Sequence, residues 1–169
     1  MTREPGPATR AVLPPAGVLA PLVSHVTSTM LGLPFGLVEG HERIELRRWR
    51  SAVLPIGGGG ELEVALASDE HGCALLGSRM FQVALAEVDA RMIDDTLCEL
   101  VNMAAGMIKR ALGPEMLLGL PRVVPAAGLA APPAGGSRLL LRTADGAVEL
   151  VLLVFQPVVG DGSKGEGLP

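Results

Sequence analysis

At 169 residues, the chain is long enough for one domain with a substantial core but short for two domains. Hydrophobic residues make up 49% of the chain and charged residues 19%, which is typical of a rather apolar globular protein. The net charge of −4 argues against a nucleic acid or an anionic membrane as partner, because both attract basic surfaces. Aromatic residues are scarce, with three Phe, one Trp and no Tyr, which further disfavours binding by base stacking.

Cysteine usage and hydropathy indicate the compartment. Cys73 and Cys98 are too few for a disulfide framework, so we expect reduced thiols and a cytoplasmic protein. Neither a signal peptide nor a transmembrane helix is predicted, since the apolar stretches 11–23 and 147–155 are too short and are interrupted. The three histidines are scattered without metal-ligand spacing, so we expect no metal site and no cofactor bound by the chain itself.

The composition predicts one folded domain with a disordered segment at each end. Residues 1–14 are rich in Pro and Gly, residues 157–169 are rich in Gly, and residues 15–156 carry the periodic apolar patterns. We therefore expect a single domain over 15–156.

The first half of the domain predicts one helix followed by two strands. The helix spans about 17–31, and the strands span 49–56 and 61–67, the second with clean apolar alternation. The glycines at 57–60 predict a hairpin turn, because the Lys and following helix of a phosphate-binding loop are missing. Residues 35–46 read as a connection or an irregular strand.

Two more helices are predicted next. Ser68 is a candidate hydroxyl cap for a short helix that runs to about Phe81. Asp89 is the candidate cap of a longer helix of about 23 residues that ends at Gly113, where the following proline prevents its continuation.

The remaining chain predicts strands. Residues 118–124 read as a strand, residues 125–136 as a low-complexity loop, and residues 138–143 and 147–155 as a hairpin around Asp145-Gly146. The order of elements predicts an α+β fold, a single domain in which helices cover an antiparallel sheet.

The long helix has two distinct faces when its residues are placed about 100° apart. One face carries a line of polar or small residues spaced by four, three and four positions: Asp95, Glu99, Asn102 and Gly106. The opposite face is an apolar stripe: Ile93, Leu97, Leu100, Val101, Ala104, Ile108 and Ala111. A mid-helix glycine costs about 1 kcal/mol relative to alanine, which suggests that close backbone approach is useful at Gly106.

With the motif Asp95-x-x-x-Glu99-x-x-Asn102, in the local run ELVNMAAGMIK, the chain resembles the CheC/CheX/FliY family of chemotaxis phosphatases, and most closely its CheX branch. Family members typically carry a proline some twenty residues after the Asn. Here Pro121 follows Asn102 by 19 positions, and Pro125 is a second candidate. The strand, turn, strand and helix over 52–81 and the hairpin over 139–155 resemble the family's layout.

The resemblance implies a phosphatase that accelerates hydrolysis of the aspartyl phosphate on a CheY-like receiver domain, in chemotaxis or related two-component signalling. Phosphoryl transfer depends mainly on positioning and charge balance, and a carboxamide can hold a water through simultaneous donation and acceptance. Asn102 would orient the attacking water and Glu99 would pair with a lysine of the receiver. Asp95 and Gly106 would extend the partner contact, and Mg²⁺ would be bound by the receiver.

The resemblance also implies a homodimer formed through the sheet, with one site per chain because the first helix lacks a second Glu/Asn pair. Two alternatives remain open. The first alternative to the phosphatase is a non-catalytic CheX-like module that binds receivers or motor-switch proteins. The second is a structural homodimer whose helix face is merely exposed. Taken alone, Glu99 and Asn102 are ordinary solvated helix residues, and the surrounding layout favours the phosphatase.

Overall fold

In the computed structural model, the described residues are 12–40, 46, 49–57, 62–113, 115–129 and 136–157. They form three helices and six strands, in the order α1 (Ala16–Leu31), β1 (Phe35–Leu37), β2 (Arg50–Ile56), β3 (Leu62–Ser68), α2 (Glu70–Phe81), α3 (Ala90–Leu112), β4 (Arg122–Pro125), β5 (Ser137–Thr143) and β6 (Glu149–Phe155). Two short 3₁₀ helices, Leu85–Glu87 and Ala126–Leu129, precede α3 and follow β4. The predicted α+β class is confirmed.

The strands form one antiparallel sheet in the order β1-β5-β6-β3-β2-β4. The inward-facing residues of its central strands pack with α1, α2 and α3 in a single apolar cluster, whose fully buried members include Leu54, Leu66, Leu97, Leu100 and Leu152. The central strands therefore hold α3 against one face of the sheet.

The opposite face of the sheet carries a second apolar cluster, which the sequence analysis did not predict. Val53, Ala65, Val151 and Leu153 are buried there, and Ala126 of the second 3₁₀ helix packs on them. Both faces of the central strands are thus buried, which explains why β6 is an almost unbroken apolar run rather than an alternating one.

Two local predictions differ from the structure, and a third is made more specific by it. Asp69, not Ser68, caps α2 by accepting a hydrogen bond from Gly72 N at 2.6 Å, whereas Ser68 ends β3 and its hydroxyl donates to Glu149 O at 2.6 Å. The segment 35–46, predicted as a connection or an irregular strand, contains the short edge strand β1. The predicted loop over 125–136 begins inside β4 and continues as a 3₁₀ helix.

Several predicted regions lie outside the described residues: 1–11 and 158–169 of the expected disordered ends, most of the glycine turn at 57–60, and residues 130–135 of the low-complexity loop. Among the residues that are described, no helix has the length and apolar character needed to cross a membrane.

Candidate functional site

The helix α3 begins and ends where its sequence signals predict. Asp89 Oδ1 accepts a hydrogen bond from Met92 N at 2.8 Å, and the helix stops after 23 residues at Gly113, whose backbone has a positive φ of 157°. Lys109 and Arg110 lie in the last turn, where cations interact favourably with the helix dipole. Local interactions therefore define both ends of the element that carries the candidate residues.

The apolar side of α3 faces the sheet and the other helices. Leu97, Leu100, Val101, Ala104 and Ile108 are buried as predicted, together with two residues at the edges of the stripe, Thr96 and Ala105. Thr96 is covered by α2, and its hydroxyl donates to Met92 O at 2.7 Å. The prediction is wrong for Ala111, which is exposed in the final turn, and only partly right for Ile93, which is half-buried and lines a cleft.

The opposite side of α3 presents the four candidate residues to solvent. Asp95 and Glu99 are exposed, and Asn102 and Gly106 are half-buried. Within the described part of the chain, the Glu99 and Asn102 side chains have no hydrogen-bond or ion-pair partner. An acid and an amide are thus held on a rigid helix, one turn apart, with their polar atoms free to contact another molecule.

Asp95 has one weak partner. Its Oδ2 lies 3.9 Å from Arg91 Nε, and both side chains are largely exposed. An exposed i,i+4 pair of this kind contributes little and is screened by salt. Asp95 can therefore exchange this contact for one with a partner at little cost.

Gly106 does not contact another part of the backbone closely. A Cβ built at this position would meet only Leu118 Cδ1, at 3.9 Å, which is an ordinary van der Waals separation. Packing among the described residues therefore gives no reason for glycine in the middle of α3.

The neighbouring aspartate, Asp94, points away from this line and ties the start of α3 to β2. Its Oδ1 lies 3.3 Å from Arg50 Nη1, while the same nitrogen donates to Ala90 O at 3.3 Å. The Asp94 oxygen is buried and its geometry does not make a hydrogen bond, so the attraction is mainly electrostatic. This contact fixes the position of the first turns of α3.

A cleft of about 640 Å³ lies beside that contact, between the beginnings of α2 and α3 and the strands β2 and β4. Its walls include Trp49, Arg50, Ile93 and Val123, and none of the four candidate residues lines it. The candidate residues instead lie along an open helix face, which suits contact with a macromolecule better than enclosure of a small ligand.

Neither cysteine is arranged as a nucleophile. Burial, aided by nearby Asp69, raises the pKa of the Cys73 thiol to about 12, and partial burial together with Asp94 and Asp95 raises the pKa of Cys98. Both thiols stay protonated at neutral pH and are therefore poor nucleophiles. The described residues also contain no group of three or more His, Cys, Asp or Glu side chains that could hold a metal ion.

A family model described as chemotaxis phosphatase CheX matches residues 50–142, more than half of the chain, and this stretch includes the whole of α3. The chain belongs to the CheX family. No match was found among curated proteins.

Solved CheX structures share the fold. CheX from Desulfovibrio desulfuricans superposes with a TM-score of 0.64 at 15% identity, covering 84% of this chain and 98% of that one. CheX from Vibrio vulnificus gives a TM-score of 0.64 at 17% identity, covering 83% and 97%. A complex of CheX with CheY, BeF₃ and Mg²⁺ from Borrelia burgdorferi gives a TM-score of 0.60 at 17% identity, covering 82% of this chain and 96% of that one. The near-complete coverage shows that this chain has the same elements as a whole CheX domain.

Residues 115–120, which precede the candidate motif proline Pro121, carried no predicted function. In the structure this segment places Leu118 beside Gly106 and leaves Leu120 exposed. Residues 118–124 were predicted as one strand, whereas in the structure Leu118 makes an isolated bridge and β4 begins only at Arg122.

Proposed function

We propose that this chain accelerates hydrolysis of the aspartyl phosphate on a CheY-like receiver domain, in chemotaxis or a related two-component pathway. Membership of the CheX family supports the proposal, as does a solved complex in which another CheX is bound to CheY. The observation that carries it is the pair Glu99 and Asn102, which α3 holds outward without internal partners.

The proposed reaction breaks the bond between phosphorus and the aspartyl oxygen of the receiver. A water attacks phosphorus in line with that bond, the aspartate leaves as a carboxylate, and inorganic phosphate is released. The Asn102 carboxamide accepts a hydrogen bond from the water and donates another, which holds the water in the line of attack. Mg²⁺ on the receiver balances charge on the phosphoryl oxygens, and this chain supplies no metal.

Glu99 has a different role in this proposal. Its carboxylate pairs with a lysine of the receiver and fixes the orientation in which Asn102 reaches the phosphoryl group. Such a pair is weak on an exposed surface but gains strength when docking removes water from around it. Asp95 extends the contact at one end of the line, and Gly106 lets the receiver approach the helix at the other.

The proposal is tested by mixing the purified chain with a panel of phosphorylated CheY-like receivers and following phosphate loss. We expect at least one receiver to lose phosphate faster than it does alone. If one of them binds without faster loss, the chain is instead a non-catalytic module for receivers or motor-switch proteins. If the chain neither binds any receiver nor accelerates its phosphate loss, the helix face does not dock receivers and the proposal is wrong.

The homodimer stays part of the proposal. In the described sheet, β1 and β4 are the outer strands, and unpaired strand edges of this kind can pair with a second copy.

A further inference from the structure

The segment 115–121, which precedes β4, is held firmly against the end of β2. Leu118 forms an antiparallel bridge with Ile56, Gly57 N donates to Leu117 O at 2.7 Å, and Gly119 N donates to Pro55 O at 2.8 Å. These backbone hydrogen bonds fix the path of the segment, so the exposure of its side chains is not a consequence of a loose loop.

The pairing of this segment with β2 contains a bulge. Leu118 lies opposite Ile56, and Arg122 lies opposite Val53. Two residues separate the paired positions on β2, whereas three residues, 119–121, separate them on the segment. One extra residue is therefore accommodated, as in a β-bulge, and bulges of this kind redirect side chains.

The bulge brings the two backbones close at Gly119 and turns Leu120 outward. A Cβ at Gly119 would lie 2.4 Å from Pro55 Cγ, so the segment can approach β2 this closely only with glycine. The next residue, Leu120, is 85% exposed, an unusual position for leucine in a chain whose core is well filled.

The position of Leu120 follows from the contacts on either side of it. Leu118 Cδ1 lies beside Gly106 near the C-terminal end of α3, and β4 lines the same cleft as Ile93 near the N-terminal end. The segment therefore runs antiparallel to α3, and Leu120 lies between the level of Gly106 and the level of Ile93, as Asn102 does on the helix.

Leu120 is one of three exposed apolar side chains in this segment, beside the line of Asp95, Glu99, Asn102 and Gly106. We call this group the leucine patch, and it consists of Leu117, Leu118 and Leu120. Clustered exposed apolar side chains beside a polar line are typical of an interaction surface.

We propose that the leucine patch is the apolar half of the receiver-docking surface, with Leu120, its most exposed member, as the anchor. This inference rests on the proposed function. The receiver is the expected partner because Leu118 lies beside Gly106, which belongs to the same helix face as Asn102. A domain-sized partner that covers Asn102 therefore also covers Leu118. The acidic end of the line orients the receiver, and the patch supplies the buried apolar area that a stable interface needs.

The test compares three variants for binding to a receiver activated with beryllofluoride and Mg²⁺, chosen as one that the parent chain dephosphorylates. We expect Leu120→Ser to raise the Kd about tenfold or more, because an apolar anchor at the centre of an interface contributes strongly. Leu120→Met should restore binding to within about twofold, since it conserves volume and apolarity. The control, Leu37→Ser, changes an exposed leucine on β1 at the opposite edge of the sheet and should leave the Kd unchanged.

Measuring kcat at saturating receiver and the mass of each variant completes the test. An unchanged kcat with a raised Kd for Leu120→Ser supports docking by the leucine patch. A Kd for Leu120→Ser within twofold of the parent value overturns the inference that the leucine patch docks the receiver. If Leu120→Ser also converts a dimer to a monomer, the patch binds a second copy of the chain instead. In either case Asn102-dependent hydrolysis by the parent still stands, so failure of this inference differs from failure of the proposed function.

Discussion

Four residues of α3 carry the functional argument, and their geometry follows from helical periodicity. Asp95, Glu99, Asn102 and Gly106 fall opposite the buried stripe, so their outward orientation could be predicted once the helix was recognised. The exposure of Leu120 could not be predicted in this way. It depends on a one-residue offset in pairing with β2, more than sixty positions earlier in the chain, and no local pattern encodes that offset.

Gly106 gives a residue-scale prediction in which stability and binding change in opposite directions. We expect Gly106→Ala to raise the free energy of unfolding by about 0.5–1 kcal/mol, because the new methyl has room and the helix loses a flexible residue. The same methyl should weaken receiver binding, since it separates the helix from its partner. Urea denaturation and a binding titration measure the two effects.

The matched control for this change is Gly77→Ala in α2. A Cβ there would lie 2.8 Å from Val88 Cγ1, so we expect a loss of stability rather than a gain. If Gly106→Ala binds the receiver as well as the parent does, close approach at Gly106 is not required and the docking role proposed for this glycine is wrong.

At the scale of elements, the ends of α3 were predictable because they depend on neighbouring residues. Asp89 and Gly113 act on backbone groups within four positions. The start of α2 was misassigned for the opposite reason. Ser68 and Asp69 are both good caps, and the choice is made by the sheet, where Ser68 belongs to β3 and bonds to Glu149 from a distant part of the sequence.

The cap of α3 gives an element-scale prediction. Replacing Asp89 with alanine should lower the free energy of unfolding by about 1 kcal/mol, because Met92 N loses its acceptor and the helix dipole loses a favourable charge. Chemical denaturation followed by circular dichroism measures the change.

Asp95→Ala is the control for charge alone, because it removes an aspartate of the same helix whose ion pair is exposed. We expect its free energy of unfolding to lie within about 0.5 kcal/mol of the parent. Equal losses in the two variants would show that the cap hydrogen bond does not stabilise α3.

At the scale of the whole molecule, the class of fold was predictable and the arrangement of the strands was not. The order of helices and strands is enough to predict an antiparallel sheet with helices packed on it. The sheet order places β6 between β5 and β3, and only the first of these pairings is a local hairpin. The second apolar cluster also went unpredicted, since β6 is apolar on both sides and its sequence does not show which helix or loop covers each face.

This architecture explains how a small domain can hold the proposed catalytic residues on a rigid helix. The sheet buries one side of α3 along most of its length, the Arg50–Asp94 contact holds its beginning, and the segment leading into β4 lies along its flank. Because Glu99 and Asn102 are carried by this well-packed helix, docking needs to order little beyond their side chains.

The most direct test of the account measures kcat and Kd separately for Asn102→Ala and Glu99→Ala on the same phosphorylated receiver. We expect Asn102→Ala to lower kcat about a hundredfold with little change in Kd, because it removes only the group that positions the water. Glu99→Ala should raise Kd and lower kcat, whereas Glu39→Ala, an exposed glutamate near β1, should behave as the parent. If Asn102→Ala and Glu99→Ala both have the same kcat and Kd as the parent, the assignment of this helix face as the catalytic site is contradicted.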